Sequence, residues 1–214
     1  MALLIKGGQT LVFTGDSITD AGRRNTAPPL GQGYVQMTVD LLAARAPGLS
    51  AKVINTGIGG DTVRDLQARW DRDVIEHQPD WLTVLVGVND AWCWLVGREG
   101  KAVEAGEYES IYDGLLQDVT KRTQARLVLM DPFMASSDEA LPADRARMIE
   151  ALPVYRAAVG RLARRYHAIH VPLQKYFDSQ LQHRHADSLA PDAVHPTPAG
   201  QAVIAHAWLR AVGW

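Results

Sequence analysis

Short apolar runs alternate with longer amphipathic segments along the whole chain. Each apolar run ends at residues that favour turns, such as Thr14-Gly15-Asp16 after the first run and Asp131-Pro132 after the fourth. Compact apolar runs with such boundaries are typical of buried β-strands. The pattern predicts five strands, which contain Leu11–Phe13, Val53–Ile54, Trp81–Val86, Leu127–Met130 and Ile169–Val171.

The segments between these runs carry apolar residues three or four positions apart, which is the spacing of one helix face. Pro153 is expected to mark the start of the helix that follows the fourth strand, because a proline inside a helix removes a backbone hydrogen bond. Thr197 and Pro198 suit an N-cap and a first helical position, so a last helix is predicted from there to about Val212. The other predicted helices contain residues 35–46, 63–74, 108–119 and 155–166.

Apolar strands that alternate with helices indicate a parallel sheet covered by helices on both faces. The sequence therefore predicts an α/β protein, and residues 1–214 are expected to form a single domain. In such folds the functional groups collect at the carboxyl ends of the strands. Polar clusters follow several of the predicted strands here, which makes them the first candidates for a functional site.

Charge and composition exclude several classes of protein. The 22 Lys and Arg residues against 24 Asp and Glu give a formal net charge of -2, which leaves no basic surplus for binding nucleic acid. No apolar run approaches the ~20 residues that span a membrane, and the run before Gly7 is too short for the core of a signal peptide. A single cysteine, Cys93, excludes an intrachain disulfide and fits a reducing compartment. We therefore expect a cytoplasmic protein without a membrane or nucleic-acid partner.

A serine follows the first predicted strand, in the segment Gly15-Asp16-Ser17-Ile18-Thr19-Asp20. A serine at a strand-to-helix turn can present its hydroxyl group to a cleft, beside backbone N–H groups that face an anion. Serine is also a common helix N-cap, so both interpretations of Ser17 stay open at this point. The GxSxG motif of α/β-hydrolases is absent, because residue 19 is threonine.

Two further polar segments follow the second and third predicted strands. Residues 57–60 hold three glycines, which let the backbone turn sharply and approach a bound group, or simply make a tight strand-to-helix connection. The segment matches neither a dinucleotide-binding GxGxxG motif nor a P-loop. Asn89 has a side-chain amide that can donate to a developing negative oxygen, although asparagine is also a common turn residue.

Near the C-terminus, Asp192 precedes His195 by three residues in a loop closed by Pro196. One loop can thereby deliver a histidine and the carboxylate that orients its second ring nitrogen. Taken singly, Asp192 could cap a turn and His195 could be a surface residue. Together with Ser17 and Asn89 they supply the nucleophile, base, orienting carboxylate and oxyanion donor that serine hydrolysis requires.

In chain order, these four segments resemble the four blocks of the SGNH (GDSL-type) hydrolase superfamily, across positions 15 to 195. The resemblance implies a flavodoxin-like three-layer α/β/α sandwich with a five-stranded parallel sheet in the order 2-1-3-4-5. It implies a catalytic triad of Ser17, Asp192 and His195. The oxyanion hole would be formed by the backbone N–H groups of Ser17 and Gly60 and the amide of Asn89. No metal ion or other cofactor is needed for this chemistry.

Within the superfamily the chain is most similar to bacterial intracellular carbohydrate acetylesterases, including acetyl xylan esterases. The similarity lies in Gly-Asp-Ser-Ile-Thr-Asp, in the segment from Asn55 to Leu66, and in Pro79-Asp80-Trp81. It implies a serine esterase that hydrolyses short-chain acetyl esters of carbohydrates such as acetylated xylo-oligosaccharides, through an acyl-serine intermediate. The alternatives are a broad-specificity short-chain esterase or lipase, a thioesterase, and a catalytically silent protein that binds sugar esters.

Six tryptophans are many for a chain of this length. Trp92 and Trp94 closely follow Asn89, and because indole faces suit the apolar faces of sugar rings, both are candidate substrate-binding residues. Packing under the loop, or contact with another subunit, is the alternative for both. Trp208 and Trp214 lie on or after the last predicted helix, where they could serve the interface of a homo-oligomer.

Overall fold

A computed structural model describes residues 2–98, 100–136 and 143–214, without the side chains of residues 143–145. The centre of the protein is a five-stranded, all-parallel sheet. Its strands are β1 (Thr10–Gly15), β2 (Lys52–Asn55), β3 (Trp81–Leu85), β4 (Arg126–Met130) and β5 (Ile169–Val171). They lie in the order β2-β1-β3-β4-β5. The predicted α/β class, the five strands and their order are confirmed.

Helices cover both faces of this sheet, which completes the three-layer sandwich. The helices are α1 (Ser17–Asp20), α2 (Tyr34–Arg45), α3 (Val63–Asp73), α4 (Val88–Leu95), α5 (Ala105–Arg122), α6 (Ala143–Arg165), α7 (Leu173–Leu181) and α8 (Pro198–Ala211). Helix α2 packs against α8, and α8 against α7, while α5 packs against both α3 and α6. Among the described residues, no helix is both long and apolar enough to cross a membrane.

The core lies where the central strands meet these helices. Phe13 of β1 is fully buried, with its ring centroid 5.3 Å from that of Trp208. Trp208 is also fully buried and donates its indole N–H to the hydroxyl of Thr83 at 2.9 Å. The prediction that Trp208 serves an interface was therefore wrong, because its ring fills the core. Trp214 is 36% exposed, and its part in a homo-oligomer stays a prediction.

Pro153 lies inside α6 and does not mark its start, so that prediction was wrong. The missing N–H of Pro153 leaves the carbonyl of Ile149 without its helical partner. Pro153 and Ile149 are both exposed, so water can satisfy that carbonyl. The buried stripe continues on the opposite side of the helix and holds it together across the proline; it consists of Met148, Leu152, Tyr155 and Val159.

The strand order creates a crevice at the carboxyl edge of the sheet. From β1 the chain crosses to β2 on one side, whereas from β3 it crosses to β4 on the other. The ends of β1 and β3 therefore flank a topological switch point, where open α/β sheets bind their ligands. Ser17 follows β1 and Asn89 follows β3, so the fold places both at this crevice.

Candidate active site

Ser17, His195 and Asp192 form a hydrogen-bonded line at the carboxyl edge of the sheet. The Oγ of Ser17 lies 3.0 Å from Nε2 of His195, although the two residues are 178 positions apart in the chain. Nδ1 of His195 lies 2.6 Å from Oδ2 of Asp192. A carboxylate accepts the Nδ1 proton, so Nε2 of the neutral ring is left to accept the proton of Ser17.

The short loop before α8 fixes the relation between Asp192 and His195. Oδ1 of Asp192 accepts the backbone N–H groups of Val194 at 3.0 Å and of His195 at 2.7 Å. Partial burial of the carboxylate by itself raises the pKa of Asp192, but the hydrogen bonds from the ring and backbone of His195 and from Val194 outweigh it and lower the pKa. Asp192 is therefore ionised at neutral pH, as the orienting group of a triad must be.

Asp16, not Ser17, is the N-cap of α1. Its Oδ1 accepts the backbone N–H of Ile18 at 2.9 Å, and this leaves the hydroxyl group of Ser17 free to reach His195. Complete burial raises the pKa of Asp16 to about 7, against the lowering effects of the Ile18 N–H and of the nearby His195. The capping interpretation of Ser17 is thus excluded by the local geometry.

The glycine-rich loop between β2 and α3 runs beside the serine. A β-carbon added to Gly57 would lie 2.5 Å from the backbone nitrogen of Asp20, so only glycine fits this close approach. Gly59 donates its N–H to Oδ2 of Asp20 at 3.1 Å, and a β-carbon added to it would lie 3.9 Å from Cβ of Ser17. Gly60 has a φ of +81°, is exposed, and has open space where a side chain would stand.

Asn89 lies in the first turn of α4, not in a loop. Its Nδ2 donates to the carbonyl of Asp61 at 3.0 Å, which ties it to the residue directly after Gly60. The neighbouring Asp90 is buried, and its Oδ1 accepts the N–H of Val63 at the start of α3. Burial raises the pKa of Asp90 to about 7, against the lowering effect of the Val63 N–H. The start of α4 therefore holds the glycine-rich loop in place from behind.

Cavities open on two sides of the Ser17–His195 pair. One, of about 340 Å³, is bordered by Asn89 and His195 and also by Trp92, Arg98 and Met134. The other, of about 420 Å³, is lined by Ser17, Ala21, Gln32, His195, Pro196, Pro198 and Gln201.

Of the two tryptophans that the sequence indicates, Trp92 lies at the candidate site, because it borders the first cavity. Trp94 is 51% exposed and lies outside the described lining of both cavities.

One arginine that bonds the backbone beside the serine and the glycine-rich loop was not among the residues that the sequence motifs indicate; its side chain is only 8% exposed. Arg69 contacts the last residue of β1 and the loop after β2, through the carbonyls of Gly15 and Thr56. The signal in the sequence is weak: Arg69 continues the three-residue spacing of Val63 and Leu66, so a charged residue falls near the buried face of a helix.

The chain is similar to one protein family and to individual known proteins. The GDSL-like Lipase/Acylhydrolase family matches residues 13–203, a range that contains Ser17, Gly60, Asn89, Asp192 and His195. An acetylxylan esterase of Geobacillus stearothermophilus is 38% identical over 217 residues, which cover 98% of this chain and 96% of that protein. The uncharacterized lipoprotein YqeF of Bacillus subtilis (strain 168) is 36% identical over 86 residues, 40% of this chain and 34% of that protein.

Solved structures agree with these matches. The crystal structure of Axe2, an acetylxylan esterase from Geobacillus stearothermophilus, has a TM-score of 0.87 and 37% identity, and covers 99% of this chain and 97% of that one. LAE5, an alpha/beta hydrolase enzyme from the metagenome of Lake Arreo, has a TM-score of 0.88 and 36% identity, covering 99% and 98%. Catalytic mutants of Axe2 replace a serine, an aspartate or a histidine with alanine. The chain belongs to the GDSL-like lipase/acylhydrolase family.

Proposed function

We propose that this protein is a serine esterase that hydrolyses acetyl esters of carbohydrates, with acetylated xylo-oligosaccharides as its substrates. The observation that carries the esterase assignment is the hydrogen-bonded line from Ser17 through His195 to Asp192, with distances of 3.0 and 2.6 Å. That arrangement is the one that activates a serine for acyl transfer. The carbohydrate part of the proposal is supported by the similarity to an acetylxylan esterase over nearly the whole chain.

In the proposed reaction, Oγ of Ser17 attacks the acetyl carbonyl carbon while Nε2 of His195 takes its proton. The negative oxygen of the tetrahedral intermediate accepts hydrogen bonds from the N–H groups of Ser17 and Gly60 and from the amide of Asn89. The bond between the acetyl carbon and the sugar oxygen then breaks as His195 gives the proton to that oxygen, so the sugar departs with a free hydroxyl and acetyl-Ser17 remains. A water molecule, deprotonated by His195, attacks this ester, and acetate departs with regeneration of the Ser17 hydroxyl.

The cavity beside Asn89 suits the sugar part of such a substrate. The indole of Trp92 offers an apolar face for a pyranose ring, and the guanidinium of Arg98 offers donors for ring hydroxyls. Trp94 is our candidate contact for a further sugar unit of an oligosaccharide, because half of its surface is open to solvent.

We also propose a cytoplasmic location, with which the buried free thiol of Cys93 is compatible.

A comparison of acyl chain lengths tests this function. We expect 4-nitrophenyl acetate to be hydrolysed about 10-fold faster or more than 4-nitrophenyl octanoate, because a site for an acetyl group leaves no room for six further methylenes. Initial rates of both esters are measured with the Ser17→Ala protein as blank, and acetylated xylo-oligosaccharides follow. A ratio near or below one would favour a broad esterase or thioesterase, and no rate above the blank on any ester would contradict the esterase function.

Replacement of Asn89 tests the oxyanion hole. Asn89→Ala is expected to lower kcat for 4-nitrophenyl acetate by about 100- to 1000-fold, which is the usual effect of removing one oxyanion donor. KM should change little, because the donor acts on charge that develops only in the transition state. A matched control is Gln36→Ala, which removes an exposed amide that bonds Asp40 on α2. Equal rates of the Asn89 and Gln36 variants would exclude Asn89 as a donor.

A further inference from the structure

Arg69 is a largely buried cation that joins the two segments of backbone on which the proposed chemistry depends. Its side chain is 8% exposed. Nη2 donates to the carbonyl of Gly15 at 3.0 Å, and Nη1 donates to the carbonyl of Thr56 at 2.7 Å. The first carbonyl lies two residues before Ser17, and the second lies at the entrance of the glycine-rich loop.

Two carboxylates complete the surroundings of this guanidinium. Nε of Arg69 donates to Oδ2 of Asp61 at 2.7 Å, and Nη1 donates to Oδ2 of Asp73 at 2.7 Å. Asp73 lies one helical turn further along α3 and so anchors the guanidinium to its own helix. Asp61 directly follows Gly60, so the ion pair between Arg69 and Asp61 lies at the end of the glycine-rich loop. The hydrogen bond from Arg69 to the carbonyl of Thr56 lies at the start of the same loop.

These contacts link all three sources of the oxyanion hole. The Gly15 carbonyl precedes the turn that carries Ser17, and the Asp61 side chain belongs to the residue next to Gly60. The carbonyl of Asp61 in turn accepts the amide of Asn89 at 3.0 Å. A planar guanidinium donates in several fixed directions at once, whereas an ammonium group is a single point of charge. The set of four acceptors therefore requires arginine.

We propose that Arg69 is a positioning residue for ester hydrolysis, which sets the distance between the Ser17 nucleophile and the oxyanion donors of the glycine-rich loop. Arg69 acts on the rate only through the backbone that it holds. This inference rests on the proposed esterase function. A purely structural role makes a different prediction: loss of Arg69 would lower the stability of the protein but leave the turnover of each folded molecule unchanged.

The test compares Arg69→Lys and Arg69→Ala with Arg64→Lys. Arg64 lies on the same helix and also bonds a carboxylate and a carbonyl, those of Glu107 and Ala102, but contacts neither segment. Thermal unfolding followed by circular dichroism fixes a temperature at which every variant is folded. There kcat and KM are measured with 4-nitrophenyl acetate, together with inhibition by phenylboronic acid, which forms a tetrahedral adduct with a reactive serine and mimics the transition state.

We expect kcat to fall by about 10-fold in Arg69→Lys and about 100-fold in Arg69→Ala, because small misplacements at a catalytic site have effects of this size. KM should stay close to the wild-type value, and the affinity for phenylboronic acid should weaken in proportion to kcat. Methylguanidinium at millimolar concentration should restore part of the kcat of Arg69→Ala. Arg64→Lys should keep the wild-type kcat.

Wild-type kcat and boronic-acid affinity in folded Arg69→Lys and Arg69→Ala proteins would overturn the inference, as would an equal loss in Arg64→Lys. If Arg69→Ala does not fold, the kcat and boronic-acid affinity of Arg69→Lys decide the question by the same criteria. A wild-type protein that hydrolyses no ester would contradict the proposed function itself. These two failures can be told apart. If only the inference about Arg69 fails, the wild-type protein hydrolyses the ester and the Arg69 variants do so at the same rate.

Discussion

Ser17→Ala protein is expected to lose hydrolysis of 4-nitrophenyl acetate almost completely, with kcat lower by on the order of 10⁶-fold, the loss typical of removing the nucleophile of a serine triad. The reason is chemical: without Oγ no acyl-enzyme can form, and His195 has no hydroxyl to deprotonate. The oxyanion donors remain, so a small rate above that of water alone should persist. Initial rates at saturating ester, with active-site concentration determined independently, measure the effect.

The Ser17→Ala exchange should leave the fold and its thermal unfolding temperature unchanged, because Asp16 rather than Ser17 caps α1. Ser50→Ala is the matched control: it removes an exposed hydroxyl outside the two cavities and should leave kcat unchanged. If the Ser17→Ala protein unfolds at the wild-type temperature and still turns over ester at a comparable rate, another residue is the nucleophile.

Asp192→Asn is expected to lower kcat by about 10⁴-fold while the loop keeps its shape, as exchange of a triad carboxylate for an amide does. Oδ1 of the new side chain can still accept the N–H groups of Val194 and His195. Its Nδ2 then stands where Oδ2 of Asp192 now accepts the Nδ1 proton of His195. Since an amide NH₂ only donates, Nδ1 must become the acceptor, and the ring proton moves to Nε2. Nε2 can no longer take the proton of Ser17.

A second exposed aspartate offers the control for this variant. Asp187 lies 3.7 Å from the ring of His185, so Asp187→Asn also exchanges a carboxylate beside a histidine, but away from Ser17. It should retain the wild-type kcat. Steady-state rates of the two variants, with thermal unfolding to verify folding, make the comparison. Near-wild-type kcat in Asp192→Asn would show that Asp192 does not orient the base.

The centre of the sheet could be predicted from the sequence because its strands β1, β3 and β4 are buried on both faces along almost their whole length. Phe13 and Leu82 belong to apolar runs that need no partner to be identified, and turn residues close each run. Strand order is a different matter, because no local pattern says that β1 lies between β2 and β3. That order came from the resemblance of four segments to a known superfamily. The prediction for Pro153 was wrong for a physical reason. The loss of one backbone hydrogen bond at Pro153 destabilises α6 less than the burial of the apolar stripe on that helix stabilises it.

The site was predictable in its residue types but not in its distances. Ser17 and His195 follow from motifs at the ends of elements, yet their 3.0 Å contact spans 178 positions and depends on the whole fold. The helix that carries Asn89 has only eight residues, too few for a helical period to stand out. Arg69 could not be predicted from the sequence, because a lone arginine on a helix is usually solvated. Its partners are two backbone carbonyls and two carboxylates, and three of these four are brought to it only by the folded chain.

Covalent labelling tests most directly whether Ser17 is the nucleophile. The protein is treated with a fluorophosphonate, which phosphonylates activated serines with loss of fluoride, and is then digested and mapped by mass spectrometry. We expect one label per chain, on the peptide that contains Ser17, with ester hydrolysis lost in proportion to labelling and no label in the Ser17→Ala protein. Label on a different residue, or full ester hydrolysis by protein labelled at Ser17, would contradict an acyl-Ser17 mechanism.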